Sequence, residues 1–212
     1  MQTESALDRA IGVFDHALRA STGVLASAGR ENPAASRPHI DMNDDDRAQA
    51  IRLMRVNHAG EVAAQALYAG QALGATQPEL RDTLKTAAQE EADHLSWCVQ
   101  RLAELGGETS KLGPVWFAGS FALGAAAGRA GDAWSLGFVA ETERQVSDHL
   151  TSHLQQLPAQ DHRSRAILTQ MREDEQGHAS QAQALGARPL PPALRAVMRL
   201  TAKIMTTGAR WI

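Results

Sequence analysis

The chain has 212 residues, 43% hydrophobic and only 4% aromatic, with 21 Lys plus Arg against 24 Asp plus Glu and a formal net charge of −3. Length and apolar content suit one packed domain rather than a disordered chain, and the single cysteine, Cys98, excludes a disulfide scaffold. Slight acidity argues against a nucleic-acid binder driven by bulk charge. The charge is unevenly spread, however. No acid follows Glu175, while Arg188, Arg195, Arg199, Lys203 and Arg210 give the last 37 residues +5 and leave −8 on the rest. Alanine supplies 39 residues, which favours helix over sheet where aromatic and β-branched side chains are so few.

The first residues carry charges of both signs and no apolar run of signal-peptide length. Leu7, Ile11, Phe14 and Leu18 give Ser5 to about Ala28 the spacing of an amphipathic helix, and Gly29 to Asn43, with Pro33 and Pro38, is a linker. Residues 1–43 are therefore an N-terminal helix and linker ahead of a main domain over 44–212. Asp44, Asp45 and Asp46 open a long helix, as acids in a first turn suit the helix dipole; it breaks near Gly74 to Pro78. A second long helix runs from about Pro78 to Gly106. The crossover from Lys111 to Gly131 is rich in Gly and Ala. Its longest uncharged stretch, Leu112 to Gly128, has 17 residues including Pro114 and four glycines, a poor design for a membrane span. A third helix from about Asp132 ends before Pro158, and a fourth from about Asp161 stops at Gly186. A proline-rich hinge over 188–192 precedes a terminal helix. Two long hairpins joined by a long crossover are the layout of an all-α four-helix bundle with accessory N-terminal, crossover and C-terminal helices.

Certain acids do not belong where they fall. The apolar stripe of the second helix (Leu84, Ala87, Ala88, Leu95, Cys98, Leu102, Leu105) passes through Glu91 and His94. Glu143 sits within Leu136, Val139, Ala140, Val146, Leu150, Leu154 and Leu157. Glu175 and His178 interrupt Leu168, Met171, Ala179, Ala182 and Leu185. On the first helix Met54, Leu67 and Tyr68 bracket Glu61. A carboxylate on a buried stripe costs several kcal/mol unless it is paired or bound to metal, roughly. Four of them without Lys or Arg on the same stripes ask for a cation.

Glu91 and His94, like Glu175 and His178, are spaced Glu-x-x-His, which places both side chains on one helix face. Residue 76 lies 15 positions from both Glu61 and Glu91, and residue 159 lies 16 from both Glu143 and Glu175. Each hairpin thus sets one Glu level with one Glu-x-x-His, and two packed hairpins gather four carboxylates and two imidazoles. That set is the dinuclear carboxylate site of ferritin-like bundles, and its hard oxygen and imidazole donors suit iron or manganese. Glu90, Glu141 and Glu173 point off the stripes and are read as solvated or as outer partners of the ligands. Asp93 and Asp174 are placed to orient a ligating histidine or to lie at the surface. His58 and His149 lie near the site outside the ligand pattern and are read as outer partners of the ligands or substrate-side groups, with no catalytic residue assigned beyond the ligands. His16, His39, His153 and His162 are read as surface or packing residues.

The segments N-H-A-G-E-V-A-A from Asn57, E-E-A-D-H-L from Glu90, A-E-T-E-R-Q-V from Ala140 and D-E-Q-G-H from Asp174 resemble the bacterial demethoxyubiquinone hydroxylases of ubiquinone biosynthesis. The likeness runs from about Asp41 to the C-terminus and maps that family's iron ligands onto Glu61, Glu91, His94, Glu143, Glu175 and His178. It implies two iron ions per subunit with Glu91 and Glu175 bridging, and O₂ as co-substrate. An external two-electron donor is also implied, since no dinucleotide fingerprint is present. The family's histidine six residues after the third glutamate is matched by His149; a tyrosine that some members carry beside it is Leu150 here. The resemblance further implies hydroxylation of the ring of a polyprenyl methoxy-benzoquinol, and partners among the ubiquinone-biosynthesis proteins. Such a substrate lives in the bilayer. Arg195, Arg199 and Lys203 recur every fourth residue opposite Leu194, Val197, Met198, Ile204 and Met205, so Leu194 to Ile212 reads as a basic amphipathic helix for an anionic membrane surface. Pro114 to Gly128, with Trp116, Phe117, Phe121 and Leu123, is a second apolar contact. The expected location is peripheral, on the cytoplasmic face of the cell membrane. Competing readings are an iron-storage ferroxidase, a manganese catalase, a transfer-RNA hydroxylase and a non-enzymatic membrane adaptor.

Overall fold

In the computed structural model, Arg19 and residues 29–212 are described; the expected N-terminal amphipathic segment, His16 included, lies outside them apart from Arg19. The described residues form helices α1 (Asp44–Ala72), α2 (Pro78–Leu105), α3 (Gly113–Arg129), α4 (Asp132–Gln156), α5 (His162–Ala184) and α6 (Pro192–Ala209). The ends follow local chemistry. Asn43 caps α1 by accepting from the Asp46 amide, and Asp161 caps α5 by accepting from the Ser164 amide. Pro78 occupies the first turn of α2, and Gly106 ends it at φ 73°, a left-handed conformation that favours glycine.

Helices α1 and α2 form one antiparallel hairpin and α4 and α5 the other, with α3 as the crossover. Asp132 at the start of α4 accepts from the Thr76 and Gln77 amides and the Thr76 hydroxyl, which ties the second hairpin to the turn of the first. At the opposite end Arg101, almost fully buried, donates to Asp161 and Ser164 and joins α2 to α5. The interior has two apolar layers. One holds Leu53, Met54, Trp97, Cys98, Leu102, Leu150, Ile167, Leu168 and Met171. The other holds Ala64, Tyr68, Leu80, Leu84, Ala87, Leu136, Val139 and Ala182. On every bundle helix the predicted ligands fall between these layers. Leu185, expected on the stripe of α5, caps that helix and is exposed instead.

The crossover packs on α1 by way of glycine. A Cβ on Gly124 would overlap the Leu67 backbone, one on Gly128 the Gln71 carbonyl, and one on Gly70 the backbone of α3. Phe117 is buried and Phe121 half-buried against Val62, Ala66 and Leu95, and Trp116 packs by Val56, Ala59 and Ala209. Three of the aromatic residues expected at a membrane therefore face the bundle, and Val115 and Leu123 face outward. In α6, Arg195, Met198 and Met205 turn partly inward, whereas Leu194, Val197, Leu200 and Ile204 are exposed beside Arg199 and Lys203. The apolar row thus points outward with a basic flank, because the bundle takes the side that holds Arg195. No described helix is long and apolar enough to cross a membrane. The linker also packs: Ala34 and Met42 belong to the first apolar layer.

Candidate metal centre

Glu61, Glu91, His94, Glu143, Glu175 and His178 are all buried and fall into two overlapping groups of donors. Glu61, Glu91, His94 and Glu175 make one, and Glu91, Glu143, Glu175 and His178 the other; within each, one donor atom per residue lies within 4.8 Å of the rest. Glu91 and Glu175 belong to both. Tyr68, two turns beyond Glu61 on α1, donates its hydroxyl to Glu143.

Both imidazoles aim Nδ1 inward. That of His94 lies 3.0 Å from Glu91 and 3.5 Å from Glu61 and Glu175. That of His178 lies 3.3 Å from Glu175 and 3.4 Å from Glu91. Each Nε2 faces outward to an acid, Asp174 at 2.9 Å from His94 and Glu90 at 2.6 Å from His178. Such a bond holds the proton on Nε2 and leaves the Nδ1 lone pair for a metal. The two bonds are related by the fold: Asp174 directly precedes Glu175 and Glu90 directly precedes Glu91. Asp93, the other expected orienting acid, turns away to Arg30 and the Gly29 amide. Glu141 pairs with Arg144 and Gln145 away from the donors, and Glu173 is exposed.

The charges are compatible with a bound cation. Burial, then the charge of Glu91, pushes Glu61 and Glu143 above the usual carboxylate range; burial, Glu91 and Glu143 raise Glu175. Burial also opposes ionisation of Glu91, but His94 and further hydrogen bonds outweigh it. His94 is raised despite burial by Glu91 and Asp174, and His178 is pushed up to about 12 by Glu175 and Glu91 against the same opposition. Burial likewise works against ionised Asp174, yet hydrogen bonds from His94 and Arg30 hold it at about 2. Among the described residues no Lys or Arg pairs with the four glutamates, and Glu61 Oε2 and Glu91 Oε1 are buried without a hydrogen-bond partner. Orphaned carboxylate oxygens beside paired imidazoles fit hard divalent ions.

The structure adds residues that sequence reasoning passed over. Tyr68 is the single tyrosine of the chain and its seven-residue distance from Glu61 puts it on the same face, a signal that was there to use. Arg30 reaches both Asp93 and Asp174. His153, expected as an ordinary packing or surface residue, is buried, its Nδ1 2.8 Å from the Asn57 side chain and its ring 3.8 Å from that of His149. Burial lowers His58 and His149 to about 4 and, with His149 and Arg210, His153 to about 3, so all three are neutral near pH 7.

Antiparallel hairpins around buried Glu and His donors define a ferritin-like bundle. The same fold occurs in the dodecameric thioferritin of Bacteroides fragilis, at a TM-score of 0.53 and 17% identity over 73% of this chain and 89% of that one. Residues 48–209 match the family "Ubiquinone biosynthesis protein COQ7", and the chain belongs to that family. Its relatives include 3-demethoxyubiquinol 3-hydroxylases of Cupriavidus metallidurans, 54% identical over 96% of this chain and 99% of that one, and of Nitrosospira multiformis, 50% identical over 97% and 99%.

Proposed function

We propose that the protein is an O₂-dependent di-iron monooxygenase that hydroxylates the ring of a polyprenyl methoxy-benzoquinol, the 3-demethoxyubiquinol 3-hydroxylase reaction of ubiquinone biosynthesis. One observation carries the chemical part: two overlapping donor groups, sharing Glu91 and Glu175, in the buried layer of the bundle. Family membership and full-length relatives of that name support the substrate class. Iron, when bound, supplies the redox chemistry that activates O₂.

The chain's own residues do the rest. Glu91 and Glu175, which belong to both donor groups, would hold both ions, Glu61 and Glu143 would each hold one, and His94 and His178 would bind through Nδ1. Four carboxylates balance two divalent charges. The apolar layers above and below exclude water, and the Tyr68 hydroxyl holds Glu143 in one orientation. A narrow crevice lined by Tyr68, Leu80, Leu84, Leu136, Val139 and His178 offers an apolar approach on the His178 side. A second, lined by Leu67, Tyr68, Thr142 and Glu143, reaches the same half between α1 and α4.

The prenyl substrate is met at the membrane surface. Leu200 and Ile204 are 60% and 61% exposed, beside Arg199 and Lys203, which suits insertion among acyl chains with the cations at anionic headgroups. Val115 and Leu123 of α3 are a second exposed apolar pair for the same role, on the cytoplasmic face of the cell membrane.

The reading is tested by anaerobic loading with ferrous iron, then O₂ and an external two-electron donor, with and without a short-chain demethoxyquinol. Two irons per chain and hydroxylated quinol are expected; a chain that holds one ion or none refutes the reading. Glu143→Ala should abolish turnover with helicity retained, and Glu141→Ala should change it little. Flotation with anionic vesicles tests the membrane surface, and Leu200→Glu with Ile204→Glu should release the protein.

A further inference from the structure

Arg30 belongs to the linker ahead of the bundle, yet it reaches the outer wall of the centre. Its Nε donates to Asp93 at 3.0 Å, and its terminal nitrogen lies 2.9 Å from Asp174 Oδ2. That same oxygen is the one 2.9 Å from His94 Nε2. The Gly29 amide donates to the other oxygen of Asp93, and Gln170 to the other oxygen of Asp174. The guanidinium also lies 4.9 Å over the Trp97 ring, which packs 5.3 Å from the His94 ring. One side chain of the linker therefore joins α2 and α5 outside His94 and touches each group that orients its ring. The His178 half is built otherwise: Glu90 is 34% exposed at its side chain and, among the described residues, pairs with no Lys or Arg.

We propose that Arg30 is a positioning residue for the His94 half of the metal centre: it holds Asp174, and Asp174 holds His94 with Nδ1 free and aimed at the ion. The inference rests on the di-iron reading above. Physically, a carboxylate acceptor fixes the tautomer and direction of a ligating imidazole only if the carboxylate is itself fixed. The side chain of Asp174 is partly exposed and without Arg30 would be held by Gln170 alone besides His94, whereas that of Asp93 is fully buried and needs the guanidinium as its counter-charge. A Lys at this position has the charge but cannot bridge two carboxylates in a fork or cover Trp97.

The test uses Co²⁺, whose visible absorption reports ligand geometry without turnover. The full-length apo-protein is titrated anaerobically; wild type should take up two ions, and uptake of fewer refutes the di-iron reading and not this one. With two ions established, Arg30→Gln should weaken one ion about 10–100-fold, the usual effect of losing an outer hydrogen-bond partner, and leave the other within about twofold. In a His178→Ala background, which keeps the His94 half, Arg30→Gln should weaken the remaining ion and shift its spectrum. In a His94→Ala background it should do neither. Arg30→Lys should recover part of the affinity. Asn32→Ala, which breaks the linker's bonds to Gln100 and the Ala34 amide without touching either aspartate, should leave both ions unchanged. Equal weakening of the two ions, equal effects of Arg30→Gln and Asn32→Ala, or no effect of Arg30→Gln overturns the proposal. Should Arg30→Gln fail to fold, the Arg30→Gln/Asp93→Asn pair removes the stranded buried charge and is read by the same criteria.

Discussion

Around His94 the centre is closed: Trp97 flanks the ring, Asp174 meets its outer nitrogen, and a linker arginine bridges that aspartate to Asp93. Around His178 the outer partner is the half-exposed Glu90, an apolar crevice reaches the ring, and the extra contact is from Tyr68 to Glu143. A duplicated Glu-x-x-His supplies equivalent donors, but the segments outside it decide how firmly each donor is held and which side a substrate can approach. The contrast is between a half braced by an ion pair and a half bordered by a narrow apolar crevice.

Removing a donor common to both halves should erase the difference between them. Glu91→Ala is expected to abolish binding of both ions and turnover, with the far-ultraviolet dichroism of the apo-protein keeping its helical amplitude. One tightly held ion per chain in this variant would show that Glu91 is not shared. A smaller effect should fall on one half alone. Glu90→Gln is expected to weaken the ion on the His178 side about 10–100-fold and spare the other, read by two-phase Co²⁺ binding. An equal loss in both phases would mean that the halves are not independent. Tyr68→Phe removes a buried hydrogen bond to a carboxylate, a change worth roughly 1.5–3 kcal/mol, and should cut turnover about tenfold with affinity on the His94 side intact.

The smallest effect concerns the histidines beyond the donors. Burial first, then His149 and Arg210, lower His153 from an ordinary 6.5 to about 3. Between those values the unfolded chain takes up a proton that the folded chain refuses. The contribution of His153 is thus fully present above pH 6.5 and is lost as pH falls toward 3. Denaturant unfolding of His153→Asn should therefore lose stability on acidification less steeply than wild type, by roughly 1.4 kcal/mol per pH unit at most. Parallel profiles would mean that the folded chain protonates His153 as readily as the unfolded chain does.

Much of the bundle and the gathering of the six predicted side chains were legible in the chain because helical periodicity is a local property. A glutamate in phase with Leu84, Leu95 and Leu102 must face the same way as they do, and the breaks at Gly74–Pro78 and Pro158 set equal arm lengths for both hairpins. An orienting acid was legible too, but which histidine each acid meets depends on a second helix. Asp174 and Glu90 are neighbours of the wrong motif in sequence, and only the antiparallel packing of α2 on α5 carries each to the other's histidine. Arg195 has the spacing of a displayed cation, but the rotation of α6 on the bundle turns it partly inward and leaves Leu200 and Ile204 outside.

By itself, then, the sequence determined the bundle helices, the hairpin order and the acids that fall on buried stripes, since these follow from spacing within one helix and from the breaks between helices. Tertiary structure alone decided which donors group together, which acid orients which imidazole, that Tyr68 meets Glu143, and that Arg30 closes the His94 side. Those contacts depend on how far each helix is rotated and shifted against its neighbours. That is settled by side-chain packing, such as the glycines that let α3 lie against α1, and periodicity within one helix carries no record of it.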